Sequence, residues 1–189
     1  MSGKIILASA SPRRLKLLKQ IGFTFRVIPS NVDEDDADHH DPLANVQAIA
    51  LRKARSVAAE IENGVVIGAD TQVLVDGEIL GKPESEADAA RMLTMLSGRE
   101  HRVITGVALI DTQTHSEETW CETTLVTFRK LPEDEIADYV RTGEPMGKAG
   151  AYGIQGRAAA FVERIEGCYF NVVGLPLAKL SQKLRNFQR

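Results

Sequence analysis

The chain has 189 residues, 43% of them hydrophobic, with 23 Lys and Arg against 26 Asp and Glu for a formal charge of −3. That length suits one domain or two small lobes with a proper core, and a pI of about 5.8 argues against bulk nucleic-acid binding while permitting a local positive cleft. No apolar run approaches a membrane span, the stretch Ile5-Ile6-Leu7-Ala8 is too short for a secretory signal, and Cys121 and Cys168 lack a C-x-x-C spacing, so a reducing cytoplasm is expected rather than a disulfide scaffold.

Ile5 to Ala8 reads as a buried strand, followed by a small-residue turn, Ser9-Ala10-Ser11. Ser11 is placed to cap a helix that Pro12 opens, Leu15, Leu17, Leu18 and Ile21 form its apolar face, and Gly22 stops it. Arg13 and Arg14 oppose the dipole of that helix, at a cost of about 0.3–1 kcal/mol each when exposed. Either they form a solvated basic turn, or they join the free N–H groups of the helix start in holding phosphate. Phe23 to Pro29 reads as a second strand. An acidic loop follows, Asp33 to Asp41, containing His39 and His40. Adjacent histidines rarely converge on one ion, so they are read as solvated; Asp33 and Glu34, just past a strand end, are either loop carboxylates or part of an active site.

Asp41 and Pro42 start a helix whose apolar residues recur from Leu43 to Ile61 and which carries Lys53. Val65 to Thr71 is a buried strand running into Asp70, and Gly68 and Ala69 leave room for a neighbour or ligand. A buried carboxylate must be paired or metal-bound, so Asp70 is either functional or a structural ion pair or turn cap. Asp76-Gly77 turns a hairpin between Val73–Val75 and Glu78–Leu80, which delivers Gly81-Lys82-Pro83; Lys82 is either functional or a surface turn residue. Ser85 caps a helix with Asp88 as its capping-box partner, and Met92 fills core. His101 reads as a surface residue at a strand start. Val103–Asp111 and Thr119–Phe128 form an antiparallel pair, with Trp120 packed on the sheet, and Pro132 opens an acidic-ended helix that stops at Gly143. Gly147 to Gly156, GKAGAYGIQG, is a loop of unusual backbone angles; Lys148, Tyr152 and Gln155 line a ligand, or the loop is a structural crossing. Ala159–Ile165 and Tyr169–Val173 read as strands, and Pro176 begins a last helix with Leu177, Leu180 and Leu184 inward. The pattern predicts an α/β fold, a mixed twisted sheet flanked by helices, with two lobes around a cleft.

Separated cations with a few carboxylates suit a triphosphate and a divalent metal: cations hold phosphoryl oxygens, and one or two carboxylates suit Mg²⁺. No G-x-S-x-G elbow or similar nucleophile motif is present, so direct attack by water is the simpler chemistry.

In order and separation, ILASASPRRLKLL (Ile6 to Leu18), Asp33-Glu34, Lys53, GADT (Gly68 to Thr71), GKP (Gly81 to Pro83), GKAGAYGIQG and IEGCYFNVVGLP (Ile165 to Pro176) resemble the Maf family of nucleotide pyrophosphatases, once described as septum-formation inhibitors. The likeness spans nearly the whole chain. It implies a single two-lobed domain over 1–189, similar to the inosine-triphosphate pyrophosphatases, commonly a homodimer. It also implies hydrolysis of nucleoside triphosphates to monophosphate and pyrophosphate with a divalent cation, Mg²⁺ or alternatively Mn²⁺. By motif, Asp70 matches the proton acceptor, with Glu34 and Asp70 as metal ligands. Ser9, Arg13, Arg14, Lys53 and Lys82 match the phosphate pocket, and Arg13, Thr71 and Gln155 the positions tied to substrate choice. AYGIQG resembles the branch acting on dTTP and UTP; the sister branch acting on 7-methyl-GTP differs at this loop. The rival reading is a nucleotide-sensing or nucleic-acid-binding regulator of cell division without catalysis, which the acidic charge balance disfavours.

Overall fold

A computed structural model describes residues 4–32 and 41–187. In chain order it contains β1 (Ile5–Leu7), α1 (Pro12–Gln20), β2 (Phe25–Val27), α2 (Pro42–Ala58), β3 (Val65–Val75), β4 (Glu78–Leu80) and α3 (Glu86–Leu96). There follow β5 (Glu100–Asp111), β6 (Glu117–Phe128), α4 (Glu133–Arg141), β7 (Val162–Glu166), α5 (Tyr169–Val173) and α6 (Leu177–Phe187). The strands form one mixed, twisted sheet in the order β2-β1-β3-β5-β6-β7, with β4 paired to β3, and helices flank it. Strand β1 runs parallel to both β2 and β3, whereas β3–β4 and β6–β7 are antiparallel. The expected α/β class with a mixed sheet is therefore what the chain adopts. No helix among the described residues is long and apolar enough to cross a membrane.

The chain divides into two compact units: Met1–Asp70, Thr105–Glu122 and Gly174–Arg189 form one, Thr71–Ile104 and Thr123–Val173 the other. In the first unit, α2 lies on one face of the sheet. Alternation along the strands puts Ile6 and Ala8, Val66 and Gly68, and Gly106, Ala108 and Ile110 on that face; Ile6, Ala8, Val66, Ala108 and Ile110 form one buried cluster with Ala50, Ala54 and Val57 of α2. Two glycines set how close the helix comes. A Cβ on Gly68 would run into the carbonyl oxygen of Ala50 and into Ala54, and one on Gly106 would meet the backbone of Val46. The room at Gly68 is thus taken by a helix. Overpacking of this kind typically costs about 1–3 kcal/mol.

Local signals behave largely as read. Asp41 accepts from Leu43 N at 2.9 Å ahead of Pro42, and Ser85 accepts from Asp88 N at 3.1 Å. The return bond of the second box goes one residue further out, from Glu84 N to Asp88 Oδ2 at 3.2 Å. Asp76 and Gly77 both take positive φ, 50° and 85°, which is the turn a two-residue hairpin needs. Leu177, Leu180 and Leu184 are buried along α6, and Met92 of α3 and Trp120 of β6 are buried too. Ser11 stands at the N-cap of α1 but gives no side-chain cap bond.

Three expectations are corrected. Tyr169–Val173 is a short helix, because the hydroxyl of Thr124 organises it: Thr124 Oγ1 donates to Cys168 O at 3.0 Å and accepts from Cys168 N at 3.1 Å and Asn171 Nδ2 at 3.0 Å. One donor and two lone pairs are then fully used. Arg157–Phe161 is a 3₁₀ turn and the strand begins only at Val162; Arg129 holds this turn, its backbone N–H on Phe161 O and its Nε on Ala160 O. Third, His101 is buried, 2% exposed, while Glu100 and Arg102 on either side face solvent. Its Nε2 lies 2.8 Å from Tyr152 Oη, and its ring packs edge-on against Phe128 and Tyr152.

Burial pushes His101 down from 6.5 to about 4. Between those values the unfolded chain binds a proton that the fold refuses. Stability is therefore full above about pH 6.5 and falls with acidification until about pH 4, by on the order of 3 kcal/mol in all. Urea midpoints at pH 7 and pH 4.5 should separate widely for the native chain and much less for His101→Gln; equal acid slopes in the two proteins would show that another group titrates.

Candidate active site

Strand β1 ends in Leu7, paired in register with Ile67 of the parallel β3, and Ala8 N continues the pairing to Ile67 O at 2.8 Å. The chain then leaves the strand at Ser9 and enters α1, while β3 carries on to Asp70. Ser9 and the start of α1 therefore emerge past the C-terminal end of β1, the edge where α/β sheets bind ligands. Ser9 is buried, and its Oγ accepts from Ser11 N at 3.2 Å and Arg14 Nη1 at 3.3 Å. With both lone pairs engaged, the hydroxyl has its proton left to give. Arg14 Nε donates to Gly174 O at 2.9 Å, so its guanidinium is held in place by the chain just before α6. Arg13 is half-buried, which pulls its guanidinium below the ordinary value through desolvation, and among the described residues it forms no ion pair. A partly desolvated cation at a helix start, beside a hydroxyl with a proton to donate, is an anion-binding arrangement.

Asp70 is on the face of β3 that α2 covers, one alternation beyond Gly68. The close seat of α2 brings Lys53 Nζ to 2.8 Å from Asp70 Oδ1, with side chains only 6% and 10% exposed. Sequence left Asp70 open between function and a structural ion pair or turn cap; its carboxylate is paired with Lys53 and keeps a small exposure to solvent. In the second unit Thr71 is half-buried, and Lys82 and Gln155 are exposed. The turn that carries Lys82 and the loop that carries Gln155 are tied together by a bond from Gly150 N to Gly81 O at 3.0 Å. Gly150 has φ 66°, and a Cβ there would stand 2.9 Å from Val73. Lys148 Nζ donates to Glu144 O. Tyr152, expected to line a ligand, instead turns inward to His101 and is 6% exposed. Asp33, Glu34, His39 and His40 lie outside the described residues.

A divalent cation of the Mg²⁺ type takes one or two carboxylates and fills its remaining positions with phosphate oxygens and water. Asp70 supplies a hard oxygen donor of this kind, next to cations suited to phosphate. No group of three His, Cys, Asp or Glu gathers among the described residues. Two connections here had no sequence signal: the anchoring of Arg14 by Gly174, and the contacts of Glu144 with the glycine loop.

The family model described as Maf-like protein matches residues 4–187. The chain belongs to the Maf family. A dTTP/UTP pyrophosphatase of Pelotomaculum thermopropionicum is 52% identical over 97% of this chain and 96% of its own length. The dTTP/UTP pyrophosphatase of Moorella thermoacetica is 54% identical over 97% and 95%, and that of Bacillus velezensis 50% over 99% and 98%. A solved nucleoside-triphosphatase / dITP/XTP pyrophosphatase from Mycobacterium abscessus superposes with a TM-score of 0.49 at 16% identity, covering 97% of this chain and 96% of its own.

Breaking a buried pair from one side strands the other charge. Lys53→Met should destabilise the Maf chain by about 3–5 kcal/mol, and Lys53→Met/Asp70→Asn should recover a large part of that loss. Thermal unfolding of the two single variants and the double variant measures this coupling, and simple additivity would mean that the two groups act independently.

Proposed function

We propose that this Maf protein hydrolyses nucleoside triphosphates to the monophosphate and pyrophosphate, with dTTP and UTP as its substrates. The observation that carries this reading is the sheltered Asp70–Lys53 pair on the strand next to the Ser9–Arg14 cradle, in a chain about half identical to proteins named dTTP/UTP pyrophosphatases.

In this reading the phosphates are held by the Ser9 hydroxyl, the first N–H groups of α1, Arg13 and Arg14. Asp70, oriented by Lys53, positions a water and takes its proton as the water oxygen bonds to the α-phosphorus. The bond from that phosphorus to the α–β bridging oxygen breaks, and pyrophosphate departs with the electron pair. Arg13, Arg14 and Lys53 offset the charge that develops on it. The proton on Asp70 then passes to solvent. A bound Mg²⁺, held by Asp70 and Glu34, would supply Lewis-acid polarisation of the phosphoryl oxygens and acidify a water. Thr71 and Gln155 serve substrate choice. A Gln amide presents an acceptor oxygen beside a donor NH₂, the complement of the N3–H and neighbouring carbonyl of uracil and thymine.

A Mg²⁺-dependent panel of dTTP, UTP, CTP, GTP, ITP and 7-methyl-GTP, scoring pyrophosphate and Pi separately, tests the reaction and its base preference. Pyrophosphate with dTTP and UTP leading is expected; Pi as the product, or a purine in the lead, would overturn the reading. In folded Asp70→Asn, kcat should drop by about 10²–10⁴ with nucleotide binding retained, and near-normal turnover would remove Asp70 from the proton-accepting role.

A further inference from the structure

Glu144, between α4 and the glycine loop, makes bonds that neither the catalytic reading nor the fold requires of it. Its Oε1 accepts from Tyr139 Oη at 3.0 Å, and its Oε2 accepts from Arg157 N at 3.1 Å. Tyr139 Oη in turn accepts from Gly153 N at 3.4 Å. One carboxylate therefore grips both flanks of the turn that runs from Gly153 to Arg157. Within it Gly156 N donates to Gly153 O at 2.9 Å, which closes a four-residue turn with Gln155 at its third position. The carboxylate lies flat against Gly156: a Cβ there would overlap Glu144 Oε1 and Cδ, although the backbone at this glycine, φ −104° and ψ −150°, is extended. A side chain at 156 therefore requires the Glu144 carboxylate to move.

An amide reads a base only if its position is held. A Gln on a drifting loop does not keep its amide at the ring edge, and the discrimination between uracil and cytosine that the amide supplies is then lost. We propose that Glu144 is a positioning residue for base choice: by clamping Gly153 and Arg157 it fixes where Gln155 projects, and so sets the preference for uracil and thymine nucleotides over cytosine. This rests on the reading of Gln155 as the residue that meets the base. Gly156 belongs to the same device, as the gap that the carboxylate fills.

The test measures kcat and KM for UTP and CTP in the full chain, with thermal unfolding alongside. Gln155→Ala defines the preference that remains without the amide. Glu144→Ala should lower the UTP-over-CTP preference about tenfold toward that value, mainly through KM, and add nothing further in the Gln155→Ala background. Glu144→Gln, which keeps the shape and one acceptor, should retain most of the preference. Gly156→Ala should lower the preference in the native background and have no effect once Glu144 is alanine; with Glu144→Gln, it carries the test if Glu144→Ala does not fold. If Gln155→Ala shifts the preference while the Glu144 and Gly156 variants slow UTP and CTP by the same factor, Glu144 is merely structural and the proposal is wrong. If Gln155→Ala leaves the preference unchanged, the base-reading role of Gln155 fails and takes this proposal with it.

Discussion

The first unit depends on how close one helix can come to one sheet. Helix α2 presents Val46, Ala50, Ala54 and Val57 to a strand face with no side chain at Gly68 and Gly106. Because the approach is so short, a lysine on that helix can reach a carboxylate on the strand, and the Lys53–Asp70 pair forms at 2.8 Å with both groups nearly out of solvent. Two charges buried this deeply are tolerated only with good mutual geometry. The apolar packing of α2 and the electrostatics of the site are therefore a single constraint: a shift of the helix would separate the charges.

The placement of Ser9 and Arg14 follows from the same sheet. Parallel pairing of β1 with β3 places the turn after Leu7 at the strand end toward which Asp70 extends. Arg14 is then fixed from a distant part of the chain, at Gly174 O, and Ser9 is fixed by Arg14. A rigid guanidinium loses less side-chain entropy on binding an anion than a free one does.

The second unit uses aromatic packing to similar effect. His101, Tyr152 and Phe161 each meet the ring of Phe128 edge-on, and Phe161 meets Tyr139 in the same way, an arrangement favoured by ring electrostatics. This cluster takes up Tyr152 from the middle of the glycine loop and leaves Gln155, three residues on, at the surface. Loop and hairpin are joined at Gly150 and Gly81, so the segments bearing Lys82 and Gln155 share one support.

Much of this was legible in the residues. Asp41-Pro42, Ser85 with Asp88, and Asp76-Gly77 act through bonds to their own neighbours, so their roles are written locally. The spacing of apolar residues in α2 and α6 likewise marks which side is buried, because it follows helical geometry alone. The motifs that mark the Maf family carry the candidate residues from Ser9 to Gln155. What the chain could not show by itself were choices between partners distant in sequence. Asp70 needed a cation, and only the seat of α2 made it Lys53. Tyr169–Val173 has a strand-like composition and becomes helical because Thr124 bonds to Cys168 and Asn171. His101 sits among charged neighbours and is buried because alternation along β5 turns it, and not Glu100 or Arg102, toward Tyr152. In each case the deciding free energy comes from contacts between residues distant in the chain, which local propensity does not contain.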